Sequence, residues 1–481
     1  MRNLWKVSVS AAAVLLISGC SFIPNLEKQE LPVATQYPVS NDADTGTAAA
    51  DTPWQNFYVD PRLQQLIGLA LEGNRDLQMA VLRIEQARAQ YRIQRAGQFP
   101  ELGVAANISR ATSQLTGEYA NTYMVGLSMP NWEIDFWGRV SSLKEQALAQ
   151  YLATEEGQKS AQITLISAVA STWLSLQADE ELRAISLRTL QTREESMRLA
   201  KLRFDAGASS ELDFQQARSL AESARVTLAQ QTRQRDLDVN ALTLLIGQPL
   251  PADLLRSLEG KKLADLPALA DVPAGLPSDL LLRRPDIRRA ELEMQAANAS
   301  IGAARALFFP NISLTASAGF VNTELSDLFE SNSKAFSISP SLYLPIFNAG
   351  RNRANLEVAE TTKKMAAVQY EKSIQTAFRE VSDALVSRKA LHDQLQAQLQ
   401  QMEAEQSRLK LSTLRYDNGI SSYLDLLDAQ RSMFALEQAV VQVRLAQLQN
   451  QVQLYKALGG GWTEPSSTAP SVETTTAPPS H

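Results

Sequence analysis

The sequence predicts a mainly α-helical protein with a membrane β-barrel, laid out twice on one plan of helix, β-hairpin, long helix and helix. Three observations predict it. LRYDNGISSYLDLLDAQR at 414–431 repeats LRFDAGASSELDFQQAR at 202–218 with a shift of 212, superimposing Gly419 on Gly207, Ser422 on Ser210 and Asp425 on Asp213. Two 64-residue stretches, Arg139 to Leu202 and Arg351 to Leu414, keep helical periodicity with no breaker of consequence, and each would run roughly 95 Å as an α-helix. Ahead of each, hydrophobicity alternates with a period of two over strands of about ten residues, which fit either strands that cross an outer membrane when tilted or a small soluble sheet packed on helices. The expected lipidation at Cys20 and the lack of a later run of about 18 apolar residues favour the barrel.

Composition narrows the chemistry. The chain has 481 residues, 6% aromatic, with two histidines, one cysteine and a net charge of −6. So little histidine and cysteine leaves almost no material for a His-based triad, a zinc site or a disulfide. The acidic balance without a basic run gives no footprint for nucleic acid. No GxxxxGK[ST] phosphate loop occurs, and two histidines without a methionine cluster offer no metal relay. We therefore expect neither an enzyme nor a cofactor.

The N-terminus accounts for the cysteine. Arg2 and Lys6 precede an apolar run, Val7 to Ile17, that closes on Ser18, Gly19 and Cys20, the pattern of a secretory signal. The ending Ile-Ser-Gly-Cys resembles a bacterial lipobox, so 1–19 is expected to be a signal peptide and Cys20 the lipidated first mature residue. Ser21, being non-acidic, goes with outer membrane sorting in such lipoproteins. Residues 20–60 begin rich in Pro, Asp, Thr and Ala without apolar period and are expected to be an extended tether.

The first repeat should occupy 61–247. Leu63, Leu66, Ile67, Leu71, Leu77, Ala80, Val81 and Ile84 recur at threes and fours, predicting a helix over 61–98, and Phe99-Pro100 ends it. A hairpin over 101–136 follows, because Leu102, Val104, Ala106 and Ile108, then Tyr123, Val125, Leu127 and Met129, alternate with small or polar residues. Helices are predicted over 139–203 and 210–246. The prolines of 248–277 mark a connector.

The second repeat should span 278–459, with helices over 279–308, 350–415 and 421–458 and a hairpin over 311–347. Asn74 to Pro100 matches Arg284 to Pro310 at an offset of 210. Ile374, Phe378, Val381 and Leu385 are spaced as in a coiled-coil seam. Residues 460–481 read as a disordered tail.

Two hairpins supply four strands. Four cannot close a barrel, and open edges are not tolerated in lipid, so a barrel would be shared between chains, with eight strands from two or twelve from three. Pro130, Pro340 and Pro345 fall in or beside the strands, where a ladder bond is lost, and are expected at bulges or strand ends. Phe99, Trp132, Phe136, Trp137, Phe308, Phe309 and Phe347 gather where strands meet helices, either as an interfacial girdle or as packing at a β-to-α junction.

Ile-Ser-Gly-Cys, the duplicated plan, VPAGLPSDLLLRRPDI at 272–287, ANASIGAARALFFPNISL at 297–314, YLDLLDAQR and the closing LYKALGGGW together resemble the TolC-like outer membrane factors, and within them the OprM-like lipoprotein branch of RND tripartite multidrug pumps. The resemblance covers Cys20 to Trp462. It implies a homotrimer with a shared 12-stranded β-barrel on a periplasmic α-helical barrel. It further implies an exit duct in the outer membrane, docked to a periplasmic adaptor and a proton-driven inner membrane RND transporter. The exit duct of a type I protein secretion system, and a lipid-anchored periplasmic coiled-coil scaffold, are the competing readings.

The two copies of the turn separate structure from function. Ser210 with Asp213, and Ser422 with Asp425, have the form of a capping box with Asp in place of Glu. Capping accounts for Asp213 and for at least half of Asp425. Asp428 has Gln216 as its counterpart, so capping does not explain it. The resemblance implies that Asp425 and Asp428 form acidic rings at a constriction, Leu424 an apolar ring and Arg431 a pairing partner, the means by which pores select and close. It also makes Tyr416 a link between neighbouring helices, with Asp213 as acceptor. The turns Gly207-Ala208-Ser209 and Gly419-Ile420-Ser421 are expected to meet the adaptor; their plainer role is helix C-capping by glycine.

Overall fold

The computed structural model describes residues 21–26, 32–34, 37, 49–112, 117–270, 272 and 283–462. The expected signal peptide, Cys20 and residues 463–481 of the tail lie outside them. The chain divides into two compact units, one from the residues up to Leu31 with Val81–Gly157 and Asp286–Ser373, the other from Pro32–Ala80, Gln158–Pro285 and Ile374 onwards.

In chain order the elements are α1 (Trp54–Phe57), α2 (Pro61–Gly73), α3 (Arg75–Ala96), β1 (Gly103–Thr112), β2 (Tyr119–Glu133), α4 (Arg139–Asp205), α5 (Glu211–Ile246), α6 (Ala252–Arg256), α7 (Pro285–Ala306), β3 (Asn311–Asn322), β4 (Lys334–Tyr343), α8 (Arg351–Asp417) and α9 (Tyr423–Ala457). α4 and α8 have 67 residues each. The second repeat's first helix begins by Pro285; residues 279–282 of the expected range lie outside the description.

The helix expected over 61–98 is two helices, broken at Asn74. Asn74 is extended at φ −68°, ψ 125°. Its Oδ1 accepts from the Leu77 amide at 2.9 Å, capping α3, while its Nδ2 donates to the Leu245 carbonyl at 2.8 Å. The end of α5 therefore abuts the break. Contact is close there: a Cβ on Gly73 would lie 2.2 Å from the Ile246 oxygen, and Gly247 turns at φ +78°. In the second repeat the buried Arg284 does the same work. Its Nη1 donates to the Ala457 carbonyl at 2.7 Å and to Glu380 at 2.9 Å, tying the end of α9 to the start of α7.

The expected extended tether is corrected at its C-terminal end. Residues 49–58 fold into a 3-10 turn and α1, because Trp54, Phe57 and Tyr58 bury themselves, Phe57 stacking on Tyr455 with centroids 4.0 Å apart and planes at 7°. Tyr37 is buried too, stacked on Phe378 at 5.3 Å. The same unit buries Ala178, Leu182 and Ile185 of α4 with Leu263 and Val441. Ile374, Val381 and Leu385 of the α8 seam are buried.

In the other unit the four strands form one antiparallel sheet in the order β1-β2-β3-β4. Both edges, β1 and β4, belong to this chain. Val104, Ile108, Phe336, Ile338 and Leu342 are exposed. Pro130 lies within β2 at the register shift between Met129 and Trp132, with Asn131 at φ 37°, as a bulge permits. Pro340 lies inside β4, opposite Leu314, rather than at a bulge or a strand end. β4 is an edge strand with one side unpaired, the setting in which a missing N–H is tolerated. Pro345 follows the end of β4.

Candidate functional site

The candidate residues cluster where α4 turns into α5 and α8 into α9, all within one unit. Each turn is a Schellman closure. Gly207 and Gly419 both sit at φ +68°, and the Ala208 and Ile420 amides reach back to the Arg203 and Arg415 carbonyls at 2.7 and 2.8 Å. Only a residue free of Cβ strain adopts that geometry cheaply. Gly207, Ala208, Gly419 and Ile420 are exposed at the apex, with Ser209 and Ser421 half-buried.

The next helix begins identically in both copies. Ser210 Oγ accepts from the Asp213 amide at 3.2 Å and Asp213 accepts from the Ser210 amide at 3.3 Å. Ser422 and Asp425 repeat the box at 3.3 and 3.2 Å. On α9, Leu424, Asp425, Asp428 and Arg431 are all exposed, whereas Leu426, Leu427 and Ala429 are buried. Spacings of one and three residues put the four on one side of a helix.

Asp428 is not free on that face. Arg408 of α8 donates to its carboxylate and, from the same guanidinium, to Glu405, and these two acids raise the Arg408 pKa. Arg431, expected as the pairing partner, instead lies near the buried Arg193, whose pKa is lowered by burial and then by Arg431. Arg193 stacks over Phe434 at 4.9 Å and donates to the Leu220 carbonyl at 3.2 Å.

The expected Tyr416–Asp213 link is replaced within the chain. The Tyr416 hydroxyl accepts from Arg203, whose guanidinium also lies over its ring at 5.4 Å, while the Asp213 carboxylate is engaged by Ser210. Tyr416 packs on Tyr423 with centroids 5.3 Å apart. Burial, then Tyr416 and Asp213, push the Tyr423 hydroxyl up to about 12, partly offset by Arg203. The site is thus a cross-brace: Arg203 of α4 holds α8, and Arg408 of α8 holds α9.

Arg408, Arg203 and Tyr423 escaped the sequence reading. Arg408 was detectable by the same comparison that isolates Asp428, since its first-repeat counterpart is Ser196. Arg203 was not, because Arg415 stands at the matching position in the other copy. Among the described residues no group of three or more His, Cys, Asp or Glu is placed to hold a metal ion, and no helix is long and apolar enough to cross a membrane.

Known proteins share this plan. A profile of the outer membrane efflux protein family matches twice, at 66–248 and 276–460, once on each repeat. The probable efflux pump outer membrane protein TtgC of Pseudomonas putida is 46% identical over 473 residues, covering 96% of both chains. Outer membrane protein OprJ of Pseudomonas aeruginosa is 42% identical, covering 95% of this chain and 96% of its own. Among solved structures, the open state of the Neisseria gonorrhoeae MtrE outer membrane channel superimposes with a TM-score of 0.84 at 39% identity, covering 92% of this chain and 99% of that one.

Proposed function

This chain belongs to the outer membrane efflux protein family, and from that premise we propose that Asp428, held by Arg408, is the latch of its gate. The protein is an outer membrane channel that extends into the periplasm and serves as the exit duct of a tripartite efflux pump. As a transport protein it conducts its cargo rather than transforming it.

The observation that carries the gate reading is the Arg408–Asp428 ion pair between α8 and α9. Asp428 shares the exposed face with Leu424 and Asp425, so several chains arranged about an axis would present rings of carboxylate and leucine. Movement of α9 away from α8 breaks the pair and widens the ring. Leu424 and Asp425 narrow the same aperture, and Arg431 lies one turn inward, next to Arg193.

Three chains would join β4 of one sheet to β1 of the next and close twelve strands, removing both open edges. A lipid on Cys20 would fix the mature N-terminus to the membrane. A periplasmic adaptor reaches the exposed turns at Gly207-Ala208-Ser209 and Gly419-Ile420-Ser421 and passes on cargo from an RND transporter, drugs or other small toxic compounds. Arg203 and Tyr416 brace the turns, and Asp213 stays with Ser210.

Planar-bilayer recording tests the latch. Asp428→Ala, alone and with Asp425→Ala, should raise conductance and weaken cation preference; unchanged conductance and selectivity in both variants would sink the assignment.

A further inference from the structure

Where the sheet meets the long helices lies a cavity of about 130 Å³, walled on its apolar side by Ile134, Phe136, Leu307, Phe309, Ile312 and Pro345. Its polar rim differs between the repeats. In the first, Arg139 is neutralised by Glu133 through bonds of 2.8 and 2.5 Å, and Asp135 accepts from the Val140 and Ser141 amides at 2.9 and 2.7 Å, closing the start of α4. A shift of 212 keeps the turn glycine (Gly138 to Gly350) and the arginine (Arg139 to Arg351) but replaces both acids, Glu133 by Pro345 and Asp135 by Phe347.

The second junction therefore keeps a cation and a helix start without the carboxylates that satisfy them in the first. Arg351 is exposed on the rim of the cavity, and beside it Ile346 and Phe347 are 94% and 89% exposed. A guanidinium without an acidic partner among the described residues, at a helix N-terminus and set against a hydrocarbon-lined cleft and projecting apolar side chains, is complementary to one kind of molecule, an anion carrying acyl chains.

The cleft has a built wall. Trp137 donates to the Pro310 carbonyl at 2.8 Å and stacks on Phe309 at 4.8 Å, and Phe22 stacks on the same Phe309 at 4.7 Å. Phe22 and its neighbours are themselves pinned. Asn298 donates to the Pro24 carbonyl at 2.7 Å, and a Cβ on Gly302 would lie 2.7 Å from the Ile23 side chain.

We infer that this junction binds an anionic phospholipid of the surrounding membrane, its phosphate on Arg351 at the start of α8 and part of one acyl chain in the cavity against Phe309. The inference uses only the outer membrane location, not the gate. The ligand would lock the sheet-to-helix junction at headgroup level, where Arg139 is held by protein and Arg351 by lipid.

Native mass spectrometry of the full-length protein, purified in detergent and offered equal phosphatidylglycerol and phosphatidylethanolamine, tests it. The wild type should retain phosphatidylglycerol over phosphatidylethanolamine by about fivefold. Arg351→Gln should abolish the preference, as should Pro345→Glu, which restores the carboxylate of the first repeat; thermal melts like the wild type establish that both are folded. No headgroup preference in the wild type, or full retention by a folded R351Q, overturns the site. Crosslinking of a photoactivatable acyl chain on Cys20 to Phe309 or Ile312 would assign the cavity to the protein's own lipid and overturn it as well.

Discussion

Arg408 on α8 donates to Asp428 on α9, and the corresponding residues of the first repeat are Ser196 and Gln216, so this ion pair exists in one repeat only. A fold that needs its two halves alike for packing has here placed opposite charges in just one of them. Both partners are exposed at the surface, where ion pairs are weak and salt-sensitive, which suits the proposed latch, whose contact would break on opening.

Removing either side of the pair should have the same effect. Arg408→Gln and Asp428→Asn are each expected to raise the open fraction of single channels roughly two- to fivefold, and the double variant should do no more than either alone. High salt should mimic them, because the screening length falls from about 10 Å at 0.1 M to about 3 Å at 1 M. Single-channel recording across a salt series checks both expectations.

The capping boxes should contribute stability without gating. Ser210→Ala and Ser422→Ala each remove the acceptor for an amide at a helix start, at a cost of about 1 kcal/mol. Hydrogen exchange should show fraying confined to the first turn of α5 or α9. Conductance should be unchanged in both variants, and a conductance change in Ser422→Ala alone would show that the second box also acts in gating.

Asp179 on α4 and Asp238 on α5 form a carboxyl pair. Burial, then the Asp238 charge, push the Asp179 pKa up to about 7 from 3.8. The folded state thus holds a proton that the unfolded chain has released, and stability falls as pH rises from about 4 to about 7, levelling off above. Asp179→Asn should melt like the wild type near pH 4 and about 2–4 °C higher at pH 8. Circular dichroism melts across that range give the answer, and a variant less stable than the wild type at pH 8 would refute it.

Phe57→Ala should detach the N-terminal segment. Phe57 is fully buried against Tyr455, and loss of a buried phenylalanine costs about 3–5 kcal/mol. Limited proteolysis should cut near residues 49–60 far faster than in the wild type. The helices of the second repeat should resist.

Much of the fold was legible because its signals are local. Gly207 and Gly419 stop helices through their own backbone freedom, Ser210 and Ser422 start them through their own hydroxyls, and the period-two runs from Val104 and Ile312 need only their neighbours to be strands. The break at Asn74 was not legible, because what ends that helix is the Leu245 carbonyl, 171 residues away. Pro340 was misplaced because whether a strand lies at an edge depends on the order of the whole sheet.

By itself, the sequence determined the duplication, the helix and strand periods and the singularity of Asp428, since each rests on spacing along the chain. Only the tertiary structure decided the partners: Arg408 for Asp428, Arg203 for Tyr416, Tyr455 for Phe57 and, among the described residues, nothing acidic for Arg351. The physical reason is that a charge or an aromatic ring reports its own chemistry in sequence, whereas the group that satisfies it is chosen by which helices and strands the fold brings within a few ångströms.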